Sequence, residues 1–404
     1  MPPAHAPSGH WFNRFLTRLY YHRVSVLHPE RLPGAGPVLY LGLHRNGAVD
    51  GFVYAAALPR AVFMISTQLR RSAIGRMFFR GIEVARAKDA ERGMAVDNLA
   101  ALGACVNQVA AGGALFVLPE GSSDLGPRHL PFQKGAARIL YRLLAEGTRP
   151  AVVPLGIHYE AAPDWQSDVE LVVGEAVDTT LPEGLTEAEA VRLLHRRITE
   201  AMEAVGVNAP DADTWADWQR LAYAASLGTG RSYFAALKAL ERGTPDLAAV
   251  AAEMRAEVEA SRPRLHQGVP LMPIRHAWAY AVLAALLAAP VATALVLNLP
   301  AVLAARWAGR RFADAPNTVA LWRLLVGVPG LALWAGLLLA AALASGHGLL
   351  WPAYAALSWL GLRSLYRLRK LAVSLANLAR GGGLRARLLE WHTAIDRAMT
   401  GAGV

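Results

Sequence analysis

His44 and Asp50 stand six positions apart in Leu43-His44-Arg45-Asn46-Gly47-Ala48-Val49-Asp50, directly after the apolar run Pro37–Leu43. A carboxylate that holds one imidazole nitrogen leaves the other able to take a proton, as a general base acting on a hydroxyl requires. Gly47 permits the tight turn that would return Asp50 to the ring. The same spacing also suits a strand-end histidine that is only hydrogen-bonded. A second polar group leaves another apolar run in Phe116-Val117-Leu118-Pro119-Glu120-Gly121-Ser122-Ser123, with Arg128 and then Pro131-Phe132-Gln133-Lys134-Gly135 beyond it. Hydroxyls at such a junction often only cap a helix. A nucleophile elbow is excluded, because Leu125 stands where Ser123 would need a glycine two residues on. Arg86 and Lys88 form a third, basic group within Gly81–Asp89.

These groups need a scaffold, and the pattern between Leu32 and Asp178 supplies one. Short apolar runs at 37–43, 61–66, 114–118, 151–156 and 169–173 read as buried strands. Helix-like segments separate them, one with Leu99, Leu102, Val106 and Val109 on one face and another after Lys134. The expected fold is an α/β domain with a mixed, mostly parallel sheet flanked by helices, followed by a helical region and C-terminal membrane helices. Polar residues at the carboxyl ends of its strands are the first candidates for function. The expected organisation is an amphipathic interfacial helix at 1–30, the α/β domain at 31–210, a helical linker region at 211–270, membrane-embedded helices at 271–370 and a basic helix at 371–404.

Composition points the same way. The 404 residues are 54% hydrophobic and 18% charged, with net charge +10 and mean hydropathy +0.26. That excludes a disordered chain, and Cys105 as sole cysteine excludes a disulfide framework or a multi-cysteine metal site. Residues 277–304 carry no charge, nor do Leu324–Leu362, which break near Ser345–Gly348. Both are long enough to enter a bilayer. Arginines flank these stretches rather than interleaving with exposed aromatics, which argues for anionic membrane lipids as partners and against nucleic acid. No cleavable hydrophobic region precedes the α/β part. Since Arg262, Arg264 and Arg275 precede 277–304 and Arg306, Arg310 and Arg311 follow it, the positive-inside rule favours a segment that dips in and returns or lies shallow rather than crossing, with Pro290 and Pro300 allowing a bend; three ordinary spans are the alternative.

In their order along the chain these residues resemble the four blocks of the glycerolipid acyltransferase family, which acylates glycerol-3-phosphate and lysophosphatidate. His44, Asn46 and Asp50 are similar to the subgroup motif Asn-His-Pro-Asn-x-x-x-Asp, with the longer His-x5-Asp gap. Gly81 and Arg86 match the second block, and Pro119, Glu120, Gly121 and Ser122 match the third, with Leu118 for its usual Phe. Pro131–Arg138 is similar to the subgroup's Pro-Leu-Lys-x-Gly-Ala-Ala-Arg, with the lysine at 134, and Pro154 lies in the apolar strand of the fourth block. Ser123 stands where many members carry arginine. The resemblance covers about residues 25–225 and leaves the C-terminal third to hydropathy alone.

It implies a membrane-bound O-acyltransferase that moves a fatty acyl group from acyl-CoA or acyl-carrier protein to glycerol-3-phosphate or lysophosphatidate. His44 would be the general base and Asp50 its holder. Asn46, Arg86, Glu120, Gly121, Ser122 and Lys134 would bind substrate, with Arg86 on the phosphate. No metal and no cofactor beyond the thioester co-substrate are implied. The expected location is a bacterial inner membrane with the catalytic domain on the cytoplasmic face. The competing reading is a non-catalytic lipid-binding or adaptor protein of the same fold.

Overall fold

The computed structural model describes residues 10–70, 73–84, 98–243, 247–274 and 276–404. Two compact units emerge, one formed by residues up to 17 with 24–157 and 170–207, the other by 18–23, 158–169 and 208–404.

The first unit is built on a seven-stranded sheet in the order β1-β7-β6-β2-β5-β3-β4. Its strands are β1 (Arg23–Leu27), β2 (Val38–Gly42), β3 (Ala61–Ser66), β4 (Ile82–Val84), β5 (Ala114–Val117), β6 (Ala151–Tyr159) and β7 (Asp168–Val173). β2 runs parallel to both β5 and β6, and β3 runs parallel to β5 and β4. β7 doubles back on β6, with Gly174 N–H donating to Pro154 O. The sheet is therefore mixed and mostly parallel, as expected. Every residue of β2 and β5 is buried, which is why these strands read as unbroken apolar runs rather than alternating ones.

Helices α1 (His10–Tyr20), α2 (Val49–Ala57), α3 (Ala73–Phe78), α4 (Asn98–Ala110), α5 (Gly135–Ala145) and α6 (Glu187–Val205) accompany the sheet. In α4 the buried face is Ala101, Cys105, Val106 and Val109, whereas Leu99 is exposed. Leu99 stands in the first turn of the helix. α1 docks through Leu16 and Thr17, whose hydroxyl donates to Phe52 O, and leaves Trp11 and Phe15 exposed. α6 opens on a capping box between Thr186 and Glu189.

The second unit is helical: α7 (Ala212–Ser226), α8 (Tyr233–Glu241), α9 (Leu247–Ser261), α10 (Ala277–Leu297), α11 (Leu299–Arg311), α12 (Val319–Ala344), α13 (Leu350–Ala376) and α14 (Gly382–Gly401). A two-strand ribbon, β8 (Leu265–His266) with β9 (Val269–Pro270), precedes α10.

The apolar segments form two helical hairpins. α10 continues through Pro290, and the chain breaks at Asn298 instead. Contacts pair Ala301 with Gly330, Ala305 with Gly327 and Gly309 with Arg323, so α11 runs antiparallel to α12. Pro290 meets Gly361 while Asn298 meets Ser358 and Tyr354, so α10 runs antiparallel to α13. Asn298 is thus the apex of a shorter hairpin lying inside a longer one whose tip is Ser345–Gly348. Gly361 is required there, because a Cβ would come within 2.2 Å of Pro290 O. The Asn298 amide donates to Ala294 O and Ser358 Oγ, both at 2.8 Å, and accepts from the Tyr354 hydroxyl at 2.6 Å. A polar apex between apolar helices is tolerated because its hydrogen bonds are made.

α10 and the stretch Pro316–Ala344 are long and apolar enough to cross a membrane, and only 11% and 6% of their apolar windows are buried. A helix in the core of a soluble domain would be mostly buried.

Candidate active site

β2 and β5 are neighbours and parallel, so the loops that leave their carboxyl ends lie side by side. After β2 the chain turns through Gly47, whose φ is 58°, and enters α2 with Asp50 in the first turn. The Asp50 side chain is fully buried, and its Oδ2 accepts from His44 Nδ1 at 3.0 Å. The same oxygen accepts the backbone N–H of Arg45 at 2.7 Å and of Asn46 at 2.8 Å. A carboxylate oxygen that accepts from a ring nitrogen and two backbone amides is held in one position. With Nδ1–H assigned to Asp50 by this geometry, Nε2 of His44 is the nitrogen able to accept a proton. The ring remains partly exposed, at 12% of its side-chain surface.

From the other loop, Glu120 reaches across. Its Oε1 accepts His44 N–H at 2.7 Å and its Oε2 accepts Leu130 N–H at 2.8 Å. Gly121 adopts a φ of 69° in the turn that follows, donating its N–H to Leu118 O. Burial pushes Glu120 above the usual carboxylate range, while the two amide bonds and the charges of Arg45 and His44 pull it back. One buried side chain thereby ties both strand-end loops together.

Arg45 was not singled out by sequence. Its guanidinium is buried and donates to the carbonyls of Gly126 and Arg128. Burial lowers its pKa, and Glu120, Asp124 and Asp50 raise it again. Beneath the pair, the buried Tyr54 hydroxyl donates to Leu43 O at 3.1 Å. Burial, then the charges of Asp50 and Glu120, raise Tyr54 well above an ordinary phenol, so it remains neutral. Position 45 gave no sequence signal, because its acceptors are backbone carbonyls more than eighty residues away.

Of the residues singled out by sequence, His44, Asn46, Asp50 and Glu120 are brought together. Ser122 is half-buried in the loop after Glu120, and Lys134 is exposed just before α5. Lys134 faces His195 of α6 closely enough that its charge, after burial, lowers that histidine's pKa. Arg86 lies outside the described residues.

Residues 23–158 match the family model Acyltransferase. The chain is 33% identical over 125 residues to glycerol-3-phosphate O-acyltransferase 2 of Saccharomyces cerevisiae, covering 30% of this chain and 17% of that protein. The crystal structure of the 1-acyl-sn-glycerophosphate (LPA) acyltransferase PlsC from Thermotoga maritima shares 19% identity at a TM-score of 0.35, over 48% of this chain and 77% of that one. His44, Asp50 and Glu120 all lie within the stretch that matches the Acyltransferase model. The chain spans under a fifth of the length of the curated yeast relative.

Proposed function

We propose that the protein is a membrane-held O-acyltransferase that moves a fatty acyl group from a thioester, acyl-CoA or acyl-carrier protein, to a hydroxyl of glycerol-3-phosphate or lysophosphatidate. The observation that carries this reading is the 3.0 Å contact between His44 Nδ1 and a fully buried Asp50 at the joined ends of β2 and β5. His44 Nε2 takes the acceptor hydroxyl's proton as its oxygen attacks the thioester carbonyl. The carbon–sulfur bond then breaks, and the leaving thiolate recovers the proton from the imidazolium. Asp50 stabilises that imidazolium and fixes the ring's tautomer.

Glu120 acts here by holding the backbone amides of His44 and Leu130, while Gly121 and Ser122 shape the acceptor end. Arg86, with Lys134 or Arg128 as helpers, is assigned to the acceptor's phosphate through charge-assisted hydrogen bonds, and Asn46 to substrate binding next to His44. The exposed apolar hairpins support insertion into a lipid bilayer, and the basic residues at their bases support anionic headgroups as partners and a cytoplasmic catalytic face.

The test is mass spectrometry of lipids formed by the purified protein, given one acyl thioester and a panel of acceptors. Products confined to phosphorylated glycerol acceptors support the reading. An acylated product only from acceptors without phosphate would overturn the acceptor class.

A further inference from the structure

We propose that the second unit carries a separate binding site for a single-chain anionic amphiphile, one acyl chain ending in a carboxylate or phosphate. A cavity of about 270 Å³ lies among α7, α9, the 269–274 segment, α13 and α14, near the lower end of small-molecule sites in size. Its walls are mostly apolar, with Met254, Leu371, Leu388 and Trp391 among them. Lys370 and Arg385 are the lysine and the arginine of the lining, and no carboxylate lines it. The Lys370 ammonium sits 5.5 Å from the centre of the Tyr223 ring and 5.0 Å from that of Tyr366. Among the described residues it makes no salt bridge. The Arg385 guanidinium donates from Nη2 to Ile274 O, which leaves donors on the fork for a further acceptor.

The route in is also visible. Ile274 and Leu389 line the cavity and are exposed, and Trp278 beside them is 68% exposed at the start of α10. Tyr280, in the first turn of that apolar helix, belongs to the wall. An amphiphile at the headgroup level, where tryptophan and tyrosine concentrate, would meet an apolar slot with two cations. A neutral lipid would gain the slot without the charge contacts. A zwitterionic one would carry its choline against Lys370 and Arg385. The site does not depend on the reaction proposed for His44.

The full chain in nanodiscs of neutral lipid is photolabelled with a diazirine-bearing oleate, and labelled peptides are mapped. Unlabelled oleate, 1-oleoyl lysophosphatidate, monooleoylglycerol and lysophosphatidylcholine compete in separate arms. Labelling should fall on 269–274 and α14, with both anionic lipids competing at least about tenfold better than the other two. Oleate stronger than lysophosphatidate identifies a carboxylate ligand, and the reverse a phosphate ligand. Arg385→Gln and Lys370→Gln should each weaken competition by anionic lipids about tenfold, the size of one charge-assisted contact, and leave that by monooleoylglycerol unchanged. Leu388→Trp, which fills the slot, should remove the label. Labelling confined to α10–α13 and indifferent to all three variants, or equal competition by monooleoylglycerol, would overturn the site.

Discussion

At the residue scale the arrangement makes Asp50 more than a charge near His44, since one oxygen holds the imidazole and two backbone amides at once. Asp50→Asn can keep an oxygen on the two backbone amides, but it removes the charge beside the imidazole and favours the wrong tautomer. Its turnover should fall within about tenfold of a His44 deletion, by roughly 10²–10⁴ relative to wild type, measured under acyl-thioester saturation. A fall of only two- or threefold would mean the pair is structural. Glu120 makes a different prediction, because its contacts are with backbone. Glu120→Gln keeps one acceptor and turns a donor toward an amide, at a cost of about 1–3 kcal/mol. It should lower both the unfolding midpoint and the turnover, whereas Asp50→Asn acts chiefly on turnover. Unchanged stability in Glu120→Gln would show that the loops are not joined through this carboxylate.

At the scale of elements, two contacts are open to direct test. Gly361→Leu would drive a side chain into Pro290 O and Ala294 Cβ and should part α10 from α13, with overpacking of at least 1–3 kcal/mol expected. A thermal midpoint in detergent equal to wild type would contradict the antiparallel packing. Glu160, just past β6, accepts the Tyr366 hydroxyl at 2.8 Å. Burial, with help from Asp168, pushes its pKa up to about 7, against the pull of Tyr366, Lys370 and Arg23. Because the folded value lies above the ordinary carboxylate value, the stability it contributes is complete below about pH 4.5 and is lost as the pH rises through 7. Glu160→Gln should therefore gain on the wild type in stability between pH 5 and 8, by an amount on the order of 1–3 kcal/mol read from thermal unfolding. A pH-independent difference between the two would refute this.

The elements themselves show what sequence can and cannot carry. β2, β3, β5, β6 and β7 were legible because central strands are continuous apolar runs. β1 and β4 were not: both are edge strands, β4 has three residues, and neither has a fully buried residue. A bend in 277–304 was expected at Pro290 or Pro300; the helix continues through Pro290 and ends at Asn298, beside Pro300 in the first turn of α11. Hydropathy marks how much apolar sequence there is, while the turn depends on partners at 354 and 358. In the site, residue types and spacing exposed His44, Asp50 and Glu120. They could not reveal that Glu120 spends both oxygens on backbone amides, nor that Arg45 buries its guanidinium.

On the scale of the whole molecule, both hairpins have their open ends at the arginines and their apices among uncharged residues. On a Cys105→Ser background, cysteines at Arg264 and Arg310 should label from the same side of the membrane and one at His347 from the other. Labelling of 264 and 310 from opposite sides would mean that the shorter hairpin crosses. The chemistry assigned to His44 is open to one decisive comparison. Acyl transfer from a labelled acyl thioester to glycerol-3-phosphate and to lysophosphatidate is measured for the wild type and for His44→Ala, each shown to be folded and membrane-bound. The account predicts product from the wild type with at least one acceptor and a loss of about 10²–10⁴-fold in the variant. A His44→Ala protein retaining more than about a tenth of wild-type turnover would contradict it.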